Sequence, residues 1–89
     1  IIEKTLLSWG ISPDVVYQCL NNPFSFITDL TIKQQAEENY PNKYNYIWDK
    51  MSFTVESEKV KDEASFFLAA LRSNYQQKKK KAAKKTLYV

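Results

Sequence analysis

Twice in its first 23 residues the chain spells out a helix start, at Ser12-Pro13-Asp14 and at Asn22-Pro23. In each, a small polar side chain can accept hydrogen bonds from the free N–H groups of a first turn. Proline follows at the first helical position, where its missing N–H is not needed. Asp14 adds negative charge at the positive end of the helix. Gly10, the only glycine, fits the left-handed position that closes a preceding helix. The one alternating run, Ser52 to Glu56, is five residues long and has no visible strand partner. The chain is therefore predicted to be all-α: a small bundle of about five helices, with a long C-terminal helix running into a basic tail.

The apolar spacing assigns the faces. Ile2, Leu6 and Trp9 mark a first short helix, and Val15, Val16, Cys19 and Leu20 mark one face of the second. A third, starting at Pro23, is predicted to carry Phe24, Ile27 and Leu30. Thr31 to Asn39 is helical by composition, either as its continuation or as a new helix. Tyr40-Pro41-Asn42 is a break. Tyr44, Ile47, Trp48 and Met51 then fall at i, i+3, i+4 and i+7, an amphipathic pattern. Ser52 to Glu56 is predicted to be an extended connector. From about Ser57, Val60, Ala64, Phe67, Leu68, Leu71 and Tyr75 recur at the helical period within about 100° of arc. Phe66 and Ala70 widen that arc. Either the last helix is buried on two sides, or it presents Phe66 to a partner. Gln76 to Lys85 consists of good helix formers and is predicted to extend this helix, fraying after about Lys81.

Charge divides the chain in two. Residues 1–75 hold seven basic and ten acidic side chains, a net charge of −3, and residues 76–89 hold six lysines and no acid. The expected organisation is a helical interaction domain over 1–75 and a lysine-rich extension over 76–89. The 89 residues make one domain's worth of sequence, and the opening Ile1-Ile2-Glu3 reads as the start of a fragment from the C-terminal end of a longer protein.

Composition excludes most familiar catalysis. One cysteine and no histidine cannot supply a four-ligand Cys/His zinc site or an imidazole base. A single glycine cannot build a phosphate-cradling loop. No apolar run approaches the about 20 residues that span a bilayer. The acidic neighbours Glu37/Glu38, Glu56/Glu58 and Asp62/Glu63 read as solvated faces. Cys19 reads as a small buried hydrophobe, and a lone thiol suits a reducing, cytoplasmic setting. The expectation is a non-enzymatic protein with no catalytic residue, cofactor, metal, membrane or small-molecule ligand.

Two sets of residues are candidates for binding. Lys78, Lys79, Lys80, Lys81, Lys84 and Lys85 can neutralise phosphates, and with no arginine among them they point to DNA-backbone contact indifferent to sequence. Tyr44, Trp48 and Phe66 are candidate partner-binding anchors, although in a small domain core packing is the favoured reading for each. Trp9-Gly10-Ile11-Ser12 resembles the turn of a helix-turn-helix. Its second helix has no Lys or Arg and begins with Asp14, so it reads as a packed hairpin.

Two stretches carry a family resemblance. Residues 6–20, LLSWGISPDVVYQCL, set a Gly-Ile-Ser turn between two helices. Residues 59–80, KVKDEASFFLAALRSNYQQKKK, place a small residue, an aromatic/aliphatic pair and Ala-Leu-Arg ahead of a tyrosine and a basic end. Together they resemble the C-terminal domain of Gram-positive plasmid replication initiators of the staphylococcal RepA type, which is DnaD-like. The resemblance implies that an N-terminal winged-helix part binds origin repeats. This domain would recruit a host replication protein, such as primase or helicase-loading machinery. Two rival functions remain open: a stand-alone, non-specific nucleic-acid-binding helical module, and a helical oligomerisation domain.

Overall fold

Four of the five helices among the described residues, all but the first, begin where a side chain accepts from an N–H of the first turn. In the computed structural model, which describes residues 1–57 and 60–76, the chain is all-α. Five helices run α1 (Ile2–Ser8), α2 (Pro13–Asn21), α3 (Leu30–Asn39), α4 (Lys43–Glu56) and α5 (Glu63–Ser73), with a 3-10 turn at Pro23–Phe26 between α2 and α3. The Ser12 hydroxyl accepts from the Val15 N–H at 3.4 Å, and Asp29 accepts from the Thr31 and Ile32 N–H groups at 2.9 and 3.1 Å. Asn42 caps α4 through the Tyr44 N–H, and Asp62 caps α5 through the Ser65 N–H. The Ser65 hydroxyl also donates to Asp62 at 2.8 Å. These donors hold the exposed Asp62 carboxyl below its ordinary pKa.

The turn from α1 to α2 follows from Gly10. At φ +93° it lets the Ile11 N–H reach back to the Leu6 carbonyl at 3.2 Å and the Gly10 N–H to that of Leu7 at 3.0 Å. This is the six-to-one and five-to-two closure of a Schellman motif. Leu6 and Ile11, which the closure brings together, are both buried.

Three expectations are corrected. Pro23 does start a helical turn under an Asn22 cap, with the Phe24 N–H donating at 3.1 Å, but the turn is 3-10 and ends at Phe26. Asp29 then caps a new helix, so Thr31 to Asn39 belongs to α3, and Leu30 lies exposed instead of on an apolar face. Ser52 to Glu56 is helical, not extended. Met51 and Thr54 continue the buried face of α4, and the Thr54 hydroxyl donates to the Lys50 carbonyl at 2.8 Å inside the helix. Finally, the last helix starts at Glu63, not near Ser57, because Asp62 is its cap. It stops at Ser73, because Asn74 takes a left-handed conformation, φ 51°, and the Tyr75 N–H folds back to the Ala70 carbonyl at 3.2 Å. The expected continuation of this helix from Gln76 into the lysines falls largely on residues 77–89, outside the described residues.

The core sits between α4 and α5, with the 3-10 turn packed against both and against α2 and α3. Leu6, Val16, Cys19, Phe24, Ile47, Phe67 and Leu71 are among its buried side chains. Burial pushes the Cys19 thiol up to about 12, which leaves it protonated and inert.

Candidate functional site

The cap at Asn42 fixes where α4 begins, and packing against α5 and the 3-10 turn decides which of its side chains reach solvent. Tyr46, Ile47, Lys50, Met51 and Thr54 form the buried face. Tyr44, Trp48 and Val55 lie on the outer flank, within about 40° of arc and along about 16 Å of helix. They are 47, 52 and 68% exposed. Beside them is a groove of about 260 Å³, lined by Thr5 of α1 and by Trp48, Met51, Ser52, Val55 and Glu56 of α4. Two expected anchors, Tyr44 and Trp48, therefore form one apolar ridge. Val55 extends it, and the spacing Tyr44, Trp48, Met51, Val55 carries the signal: i, i+4, i+7, i+11 is a heptad seam.

The third expected anchor, Phe66, lies on the other flank of α4 and does not join the ridge. Its ring packs edge-on against Phe53 at 5.3 Å and Tyr75 at 5.8 Å, and Phe53 and Tyr75 meet at 6.0 Å. Phe53 and Phe66 are half-buried, so the triad is a satellite of the core. The six candidate lysines lie outside the described residues.

Periodicity also leaves out a buried ionic cluster. Lys50 is fully buried. Its Nζ donates to the Tyr75 carbonyl at 2.6 Å and to Asp49 Oδ2 at 3.2 Å, and lies 5.4 and 5.0 Å from the ring centroids of Tyr40 and Tyr46. Asp49 also accepts from the Tyr40 hydroxyl at 2.8 Å, and the Tyr46 hydroxyl donates to the Leu71 carbonyl at 2.6 Å. An ammonium beside the C-terminal end of α5 is in the favourable place for the helix dipole. Burial first, then the bond to Asp49 and its charge, push the Tyr40 phenol up to about 12, and burial also raises Tyr46. Both phenols stay protonated donors. The sequence signal is a lysine three and four residues after two apolar side chains, inside the stripe itself.

Lys50 and the two phenols donate to the Tyr75 and Leu71 carbonyls and to Asp49, which ties α4 to the end of α5. Among the described residues, no group of three or more Cys, Asp or Glu side chains is placed to hold a metal, and no helix is long and apolar enough to cross a membrane. What the outer flank of α4 exposes is apolar side-chain surface beside that groove. Comparison of the chain with protein-family models, with curated proteins and with solved structures found no match.

Proposed function

We propose that residues 1–75 are a non-enzymatic interaction domain of a plasmid replication initiator. They recruit a host replication protein, primase or helicase-loading machinery, while the lysines of residues 76–89 hold nearby DNA by its backbone. The observation that carries the interaction role is the Tyr44–Trp48–Val55 ridge. Large aromatic side chains held exposed on a rigid helix beside a groove are what hot spots are made of. The replication setting rests on the resemblance of residues 6–20 and 59–80. With the body at −3, a basic partner surface is the favoured complement.

The test uses purified primase and purified helicase loader from a Gram-positive host, titrated separately against the chain. Trp48→Ala is expected to weaken one of them at least about tenfold, the loss of about 1.4 kcal/mol at a hot spot. Deleting residues 78–85 should leave that binding intact and abolish DNA binding. With about five lysines on phosphates, log K for duplex DNA should fall against log salt with a slope near −4.5, roughly 500-fold between 50 and 200 mM. If neither protein binds, the recruiting role is wrong. DNA binding that survives the deletion would remove the role given to the tail.

A further inference from the structure

We infer that Asn74, Tyr75 and Gln76 form a latch keyed by the Lys50 ammonium, which closes onto α4 and opens without unfolding of the core. The latch begins where α5 stops. Asn74, in its left-handed conformation, turns the chain back, and the Tyr75 N–H donates to the Ala70 carbonyl at 3.2 Å. That turn carries the Tyr75 carbonyl onto the fully buried Lys50, whose Nζ donates to it at 2.6 Å. The Tyr75 ring closes against Phe53 and Phe66, at 6.0 and 5.8 Å between centroids. Tyr75 therefore holds α4 twice, by its carbonyl on Lys50 and by its ring on Phe53. The Gln76 amide donates to the Asn74 carbonyl and side-chain oxygen at 3.2 and 3.0 Å and also reaches the Tyr40 hydroxyl.

Opposing terms make these residues a moving part. Closing takes the Lys50 ammonium out of water and orders three residues, and both cost free energy. In return the ammonium gains the Tyr75 carbonyl, beside its bond to Asp49 and the rings of Tyr40 and Tyr46. Opening puts water on the ammonium in place of that carbonyl, so much of what is lost is replaced. Tyr75 is 38% exposed even when closed, so opening uncovers little apolar area. The exchange does not touch Phe67 and Leu71 on the buried face of α5, and the Tyr46–Leu71 bond lies before the turn at Asn74.

The state of the latch sets where the rest of the chain leaves the body. Closed, residues 77–89 start from a point held beside Lys50 and Tyr40. Open, they swing from Ser73, and Phe53 and Phe66 lose the ring that packs on both. Lys50 is thus a positioning residue for the lysine extension, distinct from the lysines proposed to hold DNA. The latch does not depend on what those lysines bind, and its test needs no ligand.

That test is amide hydrogen exchange by NMR on the full chain, reading the Tyr75 N–H against that of Ile47 in the core of α4. In the wild type, Tyr75 is expected to exchange at least about tenfold more slowly than an unprotected amide and at least about tenfold faster than Ile47, as a part that opens by itself does. Lys50→Met keeps the stem and its contact with the Tyr40 and Tyr46 rings and removes the donor. It should abolish the protection of Tyr75 while Ile47 stays protected. Lys50→Gln, too short to reach the carbonyl, should do the same and stands in should the methionine variant not fold. An unprotected Tyr75 in the wild type overturns the inference, because nothing is then latched. Exchange of Tyr75 at the rate of Ile47 overturns it too, because the end of α5 then opens only with the core. Protection of Tyr75 that survives both substitutions removes Lys50 as the key, and loss of Ile47 protection in both makes Lys50 plain core.

Discussion

The two flanks of α4 carry similar side chains and do opposite things. On the outer flank, Tyr44, Trp48 and Val55 stand in solvent. On the flank toward α5, Tyr46 and Lys50 are buried, and Phe53 closes a ring triad with Phe66 and Tyr75. What separates them is polar satisfaction, not hydrophobicity. Tyr46 and Lys50 each find a carbonyl at the end of α5, so a phenol and an ammonium go inside at little cost. Among the described residues no helix covers the outer flank, and Trp48 stays half in water. The identity of a side chain says less about its place than whether its polar atom has somewhere to end.

If this contrast is right, damage should be graded by flank. The largest effect belongs to Leu71→Ala. Leu71 is fully buried where α5 meets α4, and its loss should cost about 2–5 kcal/mol in urea unfolding. A near-neutral result would mean that the α4–α5 seam is not the core. Next comes Tyr46→Phe, which removes one oxygen and leaves the Leu71 carbonyl without its 2.6 Å donor. It should cost about 1–3 kcal/mol, in proportion to burial of the pair. If Tyr46→Phe is neutral, the bond does not hold the inner flank, and shape alone does.

The inner flank should also show itself in alkali. Tyr40 moves from 10.0 to about 12 on folding, Cys19 from 9.0 to about 12, and Tyr46 also moves up. A group whose folded pKa is raised binds its proton longer in the folded state. Its stabilising effect is complete below the unfolded pKa and is lost as pH climbs toward the folded one. The urea midpoint should therefore hold steady up to about pH 9 and fall above it. Tyr40→Phe should make the fall above about pH 10 less steep than in the wild type, because it removes one of the three groups. A midpoint flat to pH 11 would contradict the burial of these groups.

Much of this was legible in the sequence, and the misses share one cause. The caps at Ser12 and Asn22, the glycine closure at Gly10 and the buried Cys19 are local chemistry, and local chemistry is written in neighbouring residues. Tyr44 and Trp48 are a different case: core packing is the reading their residues favour, and only the structure puts them in solvent. The errors arise where tertiary contacts decide. Ser52 to Glu56 alternates like a strand, yet Met51 and Thr54 are buried on the helical face and the chain stays helical. Phe66 is drawn off the expected surface by Phe53, thirteen residues earlier. Lys50 sits at helical spacing among apolar side chains, and only the return of Tyr75 gives it a carbonyl to end on. The stop at Ser73 also hides, because Asn74 is a modest signal set among strong helix formers.

The smallest expected effect is the most discriminating. Val55→Gln on the outer flank should change stability by no more than about 0.5 kcal/mol, the range of surface substitutions, and Trp48→Ala by about 1–2 kcal/mol. About half of the indole is already in water, so its loss removes less burial than that of Leu71, and alanine is the better helix former. Val55 has even less to lose, at 68% exposed. An equal truncation facing α5 would be severe, so the pair of measurements reads the two flanks directly. Urea midpoints for Trp48→Ala and Leu71→Ala, taken at one protein concentration, make the comparison. If Trp48→Ala costs as much as Leu71→Ala, the indole is core, the outer flank is no surface, and the recruiting role loses its anchor. If it costs clearly less while binding of a replication protein falls at least about tenfold, the indole's larger role is between molecules.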